Sequence, residues 1–335
     1  MAQLAPTRPT YPSISPKAYE HPSDRAATAA LAMIPLLDRV LKKLSELGFE
    51  KALQQQLLAD SVRLGPRQLP DVWYRHLSAY ESLDSEIRPQ LYVTNRLEMN
   101  AMTIGSARPI VIVNAGMVKS APEDQLTAVL AHEAGHVLSE HYHYRTMLEI
   151  LRRLLMVSGL APLAGLPLQA VYLVLLEWYR CAELSCDRAS TLVVDDPLVV
   201  CRTLMSLAGG GVEGLDLDAF LQQASEYNGN DDLLTLPGRW LTEVWRTHPY
   251  TVRRVGELMR WVQEGEFDRI RSGSYLRRGQ EPPPSEHMKA ATEHYRRRFM
   301  EVLDKVSSGA QRLANQVAGW IRPDGDRRDD SRGSS

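Results

Sequence analysis

Two histidines four residues apart enclose a glutamate in the segment from His132 to His136, which reads His-Glu-Ala-Gly-His. On an α-helix this spacing places both imidazole rings on one face, one turn apart, with Glu133 beside them. Two imidazole nitrogens can hold one zinc ion while the adjacent carboxylate lies next to the remaining coordination position. A pattern with three fixed positions arises by chance in roughly one protein in a hundred of this length. Its surroundings therefore decide whether the site is real.

The surrounding sequence predicts a buried helix. Apolar residues recur at three-to-four spacing from Leu126 to Leu138, and Ser120 with Glu123 has the form of a capping box at a helix start. Gly135 is the only glycine or proline between Glu123 and Gly159, so one long helix is expected through the motif. A glutamate on such a helix needs a positive partner, which a metal ion supplies. A pair of hydrogen-bonded core histidines is the alternative interpretation.

A catalytic zinc ion usually takes three protein ligands, so a third ligand is expected elsewhere in the chain. Two known arrangements of the third ligand do not fit this chain. Tyr142 occupies the position of the third histidine in one of them, and Met156 occupies the position of the glutamate in the other. The remaining possibility for the third ligand is a glutamate on a later helix, and Glu183 is the best candidate. Asp187 lies one turn further on, where it can hydrogen-bond the far nitrogen of a zinc histidine. Glu177 is the alternative third ligand, although it lacks a carboxylate one turn further on.

Three ordered blocks of sequence carry a resemblance to a known family. The first begins at Asn100, passes through an apolar segment at 111–117 and continues through the motif. The second is Glu-Leu-Ser-Cys-Asp at 183–187, and the third is His248-Pro249 with Arg254 six residues beyond the histidine. Over residues 89 to 260 the chain resembles the gluzincin zinc metallopeptidases that include HtpX, the Oma-type protease and the type I CAAX prenyl protease. The resemblance implies an α+β fold, mostly α-helical, with a small β-hairpin or sheet and helical extensions at both ends.

The resemblance also implies a role for each matching residue. The implied ligands of one zinc ion per chain are His132, His136 and Glu183. Glu133 would be the general base, and Asp187 would orient a zinc histidine. His248 would donate a hydrogen bond to the oxyanion, with Arg254 supporting that corner. The implied activity is a zinc-dependent endopeptidase in protein quality control, which hydrolyses unfolded or extended polypeptide by a metal-activated water.

Two other functions are compatible with a zinc site. The chain could be a non-proteolytic module that binds zinc and holds client polypeptides, or it could hydrolyse an amide that is not a peptide. Glu133 argues against the first alternative, because a pure binding site has no use for a general base.

Residues 91 to 114 predict a β-hairpin. The segment from Arg108 to Val113 is rich in β-branched residues and follows turn-prone residues at 105–107. If this second strand is a sheet edge beside the zinc, an extended substrate can add to it through main-chain hydrogen bonds. An ordinary core strand is the alternative interpretation.

Composition sets limits on partners and location. A net charge of -2 gives no reason to expect nucleic acid as a partner. The chain has too few cysteines for a disulfide framework, and we expect buried thiols at Cys181, Cys186 and Cys201. The N-terminus lacks the features of a secretory signal, so the default location is cytoplasmic.

The chain of 335 residues is expected to contain five segments. Clustered prolines and the charged tail mark the two ends as disordered, and Pro282 to Pro284 mark a linker. The segments are a disordered lead at 1–22, a helical region at 23–88, the metallopeptidase core at 89–262, a linker with an amphipathic helix at 263–322, and a disordered tail at 323–335.

An uncharged apolar stretch from Leu154 to Leu176 has the hydropathy of a membrane span. A single crossing would put His136 and Glu183 on opposite sides of the bilayer, although both are expected to bind one ion. Two crossings would leave about eleven residues for each arm, where roughly twenty are needed. The stretch therefore predicts an apolar helical hairpin within 150–180. Its tip is either covered by the terminal helices or contacts a membrane surface as a peripheral or monotopic anchor.

Overall fold

The computed structural model describes residues 8–105, 108–155, 168–229 and 250–321. This part of the chain is mostly helical with one small sheet, which confirms the α+β class predicted from the sequence. The helices are α1 (Pro22–Ala32), α2 (Pro35–Glu46), α3 (Phe49–Ala59), α4 (Pro70–Ser82), α5 (Ala115–Ser120), α6 (Glu123–Leu138), α7 (Tyr142–Leu154), α8 (Leu168–Val194), α9 (Pro197–Gly209), α10 (Leu217–Gly229), α11 (Thr251–Gln263), α12 (Glu266–Arg271) and α13 (Glu286–Ile321).

The sheet contains four strands in the order β1-β2-β4-β3. They are β1 (Ser61–Arg63), β2 (Gln90–Thr94), β3 (Ala101–Ile104) and β4 (Ile110–Asn114). Strands β2 and β4 are parallel, whereas β3 runs antiparallel to β4. Strand β4 lies between β2 and β3 and is buried along its whole length. The hairpin is therefore β3–β4 rather than the whole of 91–114, and β3 rather than β4 forms the edge next to the motif helix.

Helices α6 and α8 cross closely at Gly135. A Cβ atom on Gly135 would lie 3.0 Å from Cβ of Ala189 and 3.1 Å from Cα of Cys186. Because Gly135 has no side chain, the two helix backbones can approach each other. This approach brings the His-Glu-Ala-Gly-His segment of α6 opposite the Glu183–Asp187 segment of α8.

The motif helix is shorter than the sequence predicted. It begins at Glu123 rather than at the Ser120 capping box, and it ends at Leu138. Glu140 then adopts a left-handed backbone with φ of 56°, and the N–H of His141 donates to the carbonyl of His136 at 2.9 Å. A non-glycine residue in this conformation gives no sequence signal, so the break was missed. The turn directs His141 back toward the motif.

The N-terminal segment from residue 8 onward is packed, which departs from the disordered lead expected for 1–22. Tyr11, Ile14 and Tyr19 are buried, with no more than 2% exposed. Tyr11 also donates its hydroxyl hydrogen to the carbonyl of Leu192 at the end of α8. These apolar side chains lie between the prolines and bury enough surface to fix the segment. Helix α1 follows and packs on α8 and α13.

Of the apolar hairpin predicted at 150–180, the structure describes the end of α7 and the first half of α8, and these two helices pack on each other. Its turn, at residues 156–167, lies outside the described residues. In the part of the chain that the structure describes, no helix is both long and apolar enough to cross a membrane. The three cysteines are free and buried.

Candidate active site

Helices α6 and α8 bring the three predicted metal ligands together. The Nε2 atom of His136 lies 3.2 Å from Oε1 of Glu183, and Nε2 of His132 lies 3.6 Å from Oε2 of the same carboxylate. Ligand atoms on a tetrahedral zinc ion are about 3.3 Å apart, given bonds of about 2.0–2.1 Å. The side chains of His136 and Glu183 are almost completely buried. Two imidazole nitrogens and one carboxylate group at these separations fit a zinc ion.

Asp187 lies one turn beyond Glu183 on α8 and contacts His132. Its Oδ1 atom is 3.1 Å from Nδ1 of His132. An ionised carboxylate only accepts hydrogen bonds, so the ring hydrogen belongs on Nδ1 and the Nε2 lone pair faces Glu183. Burial alone would lower the pKa of His132, but the two carboxylates outweigh burial and raise it to about 9. This corner therefore attracts a proton or a metal cation.

Arg254, in the first turn of α11, holds both carboxylates of α8. Its Nε and Nη2 atoms donate to Asp187 at 2.8 Å and 2.5 Å, and its Nη1 atom lies 2.8 Å from Oε2 of Glu183. Burial alone would raise the pKa of Asp187, but the Arg254 guanidinium outweighs burial and lowers it. The sequence predicted a catalytic role for Arg254. Its contacts in the structure are those of a positioning residue, because they fix the third ligand and the orienting aspartate.

The carboxylate of Glu133 lines the same cavity as His132 and Glu183 and is held at one oxygen. The hydroxyl of Thr103 on β3 donates to Oε2 at 2.6 Å, and Nη1 of Arg145 on α7 donates to Oε2 at 3.1 Å. Both of these hydrogen bonds are made to Oε2. Sequence reasoning missed both partners, because no spacing rule links Thr103 or Arg145 to the motif. Arg145 is 8% exposed, but α7 also carries Glu149, Arg152 and Arg153, so its charge gave no signal in the sequence.

Comparisons with known proteins agree with this arrangement. The profile of Peptidase family M48 matches residues 71–262. The chain belongs to this family. It is 34% identical over 259 residues to Plastoglobule-localized metallopeptidase 48, chloroplastic, of Arabidopsis thaliana, which covers 74% of this chain and 73% of the relative. It is 24% identical over 229 residues to a Protease HtpX homolog of Moorella thermoacetica, which covers 61% of this chain and 76% of the relative. No solved structure matches the chain significantly.

The matches confirm the resemblance to gluzincin peptidases. This M48 protein is a metalloprotease, and its substrate is therefore polypeptide. Members of the family are metal-dependent, which agrees with the convergence of ligand atoms between α6 and α8.

A second set of donors in the M48 protein includes Cys186. His132, His136 and Cys186 can each place one ligand atom within 4.8 Å of the others. However, the Cys186 sulfur lies 3.6 Å from Nδ1 of His141, which itself faces Nδ1 of His136. The Nε2 atoms of the two motif histidines face Glu183 instead. Burial also raises the pKa of the Cys186 thiol well above its usual value, which disfavours the thiolate that zinc requires. We therefore favour Glu183 as the third ligand.

The remaining predicted residues lie elsewhere. Glu177, the alternative third ligand, pairs with Arg298 of α13 at 2.5 Å and so belongs to a different helix interface. His248 lies outside the described residues, and its role as an oxyanion donor stays a prediction.

A cavity of about 320 Å³ lies beside the site. His132, Glu133 and Glu183 form one part of its wall. Most of the remaining wall is apolar and comes from Met99, Met117, Val129, Val200, Leu204 and Leu207. A cavity of this kind can take an apolar side chain while the polar groups of the site face the bond that reacts.

Proposed function

We propose that the M48 protein is a zinc endopeptidase in which His132, His136 and Glu183 bind one zinc ion and Glu133 is the general base. One observation carries this proposal: Nε2 of both histidines converges on the Glu183 carboxylate, while Glu133 lines the same cavity. The donor set of two imidazoles and one carboxylate is that of a catalytic zinc site with one position left for water.

A bound zinc ion supplies Lewis acidity, which makes a coordinated water more acidic and polarises the substrate carbonyl. Glu133 takes the proton of the attacking water through Oε1 and later gives it to the leaving amine. Arg145 and Thr103 hold Oε2, so they orient the carboxylate without occupying the oxygen that reacts. Arg254 holds Glu183 in place, and Asp187 holds His132.

An extended substrate would add to strand β3. This strand is at the edge of the sheet in the described structure, and Ala101 at its start lines the cavity beside Glu133. Main-chain hydrogen bonds to an edge strand do not depend on side chains, so they suit a peptidase that accepts unfolded segments. This mode of binding supports a role in protein quality control.

Zinc content and proteolysis, measured on the same preparations, test the proposal. The wild type is expected to bind one zinc ion per chain and to cleave casein. Glu133→Gln is expected to keep the zinc and to lose roughly 10²–10⁴-fold in cleavage rate, which is the usual contribution of a general base. Glu140→Gln is the matched control, because Glu140 is an exposed glutamate just beyond the motif. Wild-type protein without zinc would overturn the proposal, and an active Glu133→Gln variant would remove Glu133 from its role.

We further propose a cytoplasmic location with peripheral contact to a membrane or lipid surface. Leu155, just after the end of α7, is 43% exposed and follows Arg152 and Arg153. These two arginines share the carboxylate of Glu149, which leaves one net positive charge beside the exposed leucine, and that combination suits anionic lipid. The name of the Arabidopsis relative places that protein at plastoglobules. Wild-type protein is expected to float with vesicles that contain anionic lipid, and Leu155→Glu is expected to reduce the bound fraction. Equal flotation of both proteins would contradict this proposal.

A further inference from the structure

The second motif histidine has a chain of buried partners that leads to the N-terminal helix. Nδ1 of His136 lies 3.1 Å from Nδ1 of His141, and Nε2 of His141 lies 3.0 Å from Oδ2 of Asp24 on α1. All three side chains are buried, with no more than 2% exposed. The chain therefore runs from the metal site, through the turn after α6, to a carboxylate more than a hundred residues earlier in the sequence.

Asp24 is fixed by partners on its own helix and on α8. It accepts a hydrogen bond from Ser185 at 2.5 Å and another from Thr28 at 3.1 Å. The indole N–H of Trp178 donates to the Thr28 hydroxyl at 2.8 Å, and the Trp178 ring packs edge-on against His141. A carboxylate that accepts several hydrogen bonds is held in its ionised form, which has no hydrogen to donate.

The ionised state of Asp24 determines where the hydrogens lie in the contacts between Asp24, His141 and His136. Because Asp24 only accepts, the hydrogen between it and His141 belongs on Nε2 of His141. If His141 carries only this hydrogen, its lone pair is on Nδ1, so the hydrogen between the two histidines belongs on Nδ1 of His136. That tautomer leaves the Nε2 lone pair of His136 facing Glu183, as metal binding requires. The sulfur of Cys186 also lies near Nδ1 of His141, at 3.6 Å.

We propose that Asp24 and His141 are positioning residues that fix the metal-binding tautomer of His136, so that the N-terminal helix α1 is part of the active site. Asp24 fixes the tautomer of His136 through His141, whereas Asp187 fixes the tautomer of His132 by direct contact. Asp24 lies outside residues 71–262, which the family profile matches, so the family resemblance did not predict it. The inference rests on the proposed zinc site, because it concerns the orientation of one of its ligands.

A matched pair of substitutions at His141 separates tautomer control from structural support. Asn and Leu are similar in size, and both remove the contact with Asp24. Asn offers a carbonyl oxygen where Nδ1 lies, so it can still accept the hydrogen of His136, whereas Leu cannot. Zinc affinity is measured by competition with a chromophoric chelator on variants whose folding is checked by circular dichroism. We expect His141→Leu to weaken zinc binding about 10–100-fold, the usual cost of losing an outer partner of a metal ligand, and His141→Asn to weaken it about threefold or less.

Asp24 is tested through its dependence on His141. Asp24→Leu is expected to weaken zinc binding about tenfold in the wild type but about twofold or less in the His141→Asn background, where its route to His136 is already absent. Leu31→Val is the control, because Leu31 is a buried residue about two turns beyond Asp24 on α1 and its apolar side chain makes no hydrogen bond. This control is expected to lower stability and to leave zinc affinity unchanged.

The outcomes distinguish this inference from the proposed function. If the wild type binds no zinc, the proposed function itself fails. If the wild type binds zinc but His141→Asn and His141→Leu lose the same affinity, tautomer control is wrong. Unchanged affinity in Asp24→Leu, or an equal loss in Leu31→Val, would overturn the role of Asp24. The visible spectrum of the cobalt-substituted protein gives a second readout, and it should change in His141→Leu but not in Leu31→Val.

Discussion

Gly116 allows a direct test of how the loop before β3 is held at the active site. The N–H of Gly116, on α5, donates to the carbonyl of Arg96 at 2.9 Å. A Cβ atom at this position would lie only 1.9 Å from the carbonyl oxygen of Leu97 and 2.4 Å from its carbonyl carbon. Those atoms are backbone and cannot rotate away, so Gly116→Ala must displace the loop by about 1 Å or more.

The expected cost follows from two opposing terms. Alanine is about 1 kcal/mol more favourable than glycine inside a helix, whereas overpacking that shifts the backbone costs about 1–3 kcal/mol and occasionally more. A separation of 1.9 Å from backbone belongs to the severe end, so we expect a net loss of about 2 kcal/mol in the free energy of unfolding. The displaced loop carries Glu98, Met99 and Asn100, which line the cavity, but none of the proposed zinc ligands. Therefore kcat/KM should fall while zinc affinity stays the same.

Urea unfolding, casein cleavage and chelator competition measure these three effects. Gly65→Ala is the matched control, because a Cβ atom on Gly65 would meet nothing within 4 Å. It should change the free energy of unfolding by less than about 0.5 kcal/mol. The reasoning is refuted if Gly116→Ala unfolds at the same urea concentration as Gly65→Ala and cleaves casein equally well.

Three further results are expected. In chelator competition, Glu183→Gln should lower zinc affinity by more than about 100-fold, whereas Cys186→Ala should lower it by less than about threefold. If Cys186→Ala caused the larger loss, Cys186 would be the third ligand. Arg254→Met should destabilise the zinc-free protein by about 3–5 kcal/mol in urea unfolding, because it removes the guanidinium that the buried carboxylates of Glu183 and Asp187 share. Arg254→Lys should restore only part of this loss, since Lys cannot form the two-pronged contact. Burial lowers the pKa of His76 to about 4. Below about pH 6.5 the unfolded chain therefore binds a proton at His76 that the folded chain does not bind. As the pH is lowered from about 6.5 to about 4, the free energy of unfolding should decrease. When the pH is lowered from 7 to 4.5, the free energy of unfolding measured with urea should decrease by about 2 kcal/mol less in His76→Gln than in the wild type. Equal decreases in both proteins would show that His76 is not the group responsible.

The elements that the sequence predicted best are those in which local pattern and chemistry agree. The spacing of His132 and His136 predicts a helix, and a shared metal site predicts that Glu183 folds back onto it. The observed separations of 3.2 Å and 3.6 Å between ligand atoms agree with that prediction. The same requirement for a shared ion argues against a membrane span at 154–176, because a single crossing would separate His136 from Glu183.

The partners of the carboxylates could not be predicted in the same way. Thr103 and Arg145 reach Glu133 from a strand before the motif and from a helix after it, so their contact depends on tertiary packing. The sheet shows the same limit. A β-branched segment before the motif predicted a strand, but whether β4 or β3 lies at the edge depends on the parallel pairing of β2 with β4, which no local signal specifies.

The break after Leu138 shows why local rules failed at the point that matters most for the site. A continuous helix would carry His141 five residues beyond His136 along the axis, on a different face, and the two rings would not meet. The left-handed backbone at Glu140 costs about 1–2 kcal/mol, and nothing in the residue type repays that cost locally. The compensation is tertiary: it directs His141 toward Asp24 and His136, and the N–H of His141 still finds the carbonyl of His136. A strained turn beside a metal-binding motif is best explained by the contacts that it makes possible, which is why we infer that His141 is part of the site rather than the end of a helix.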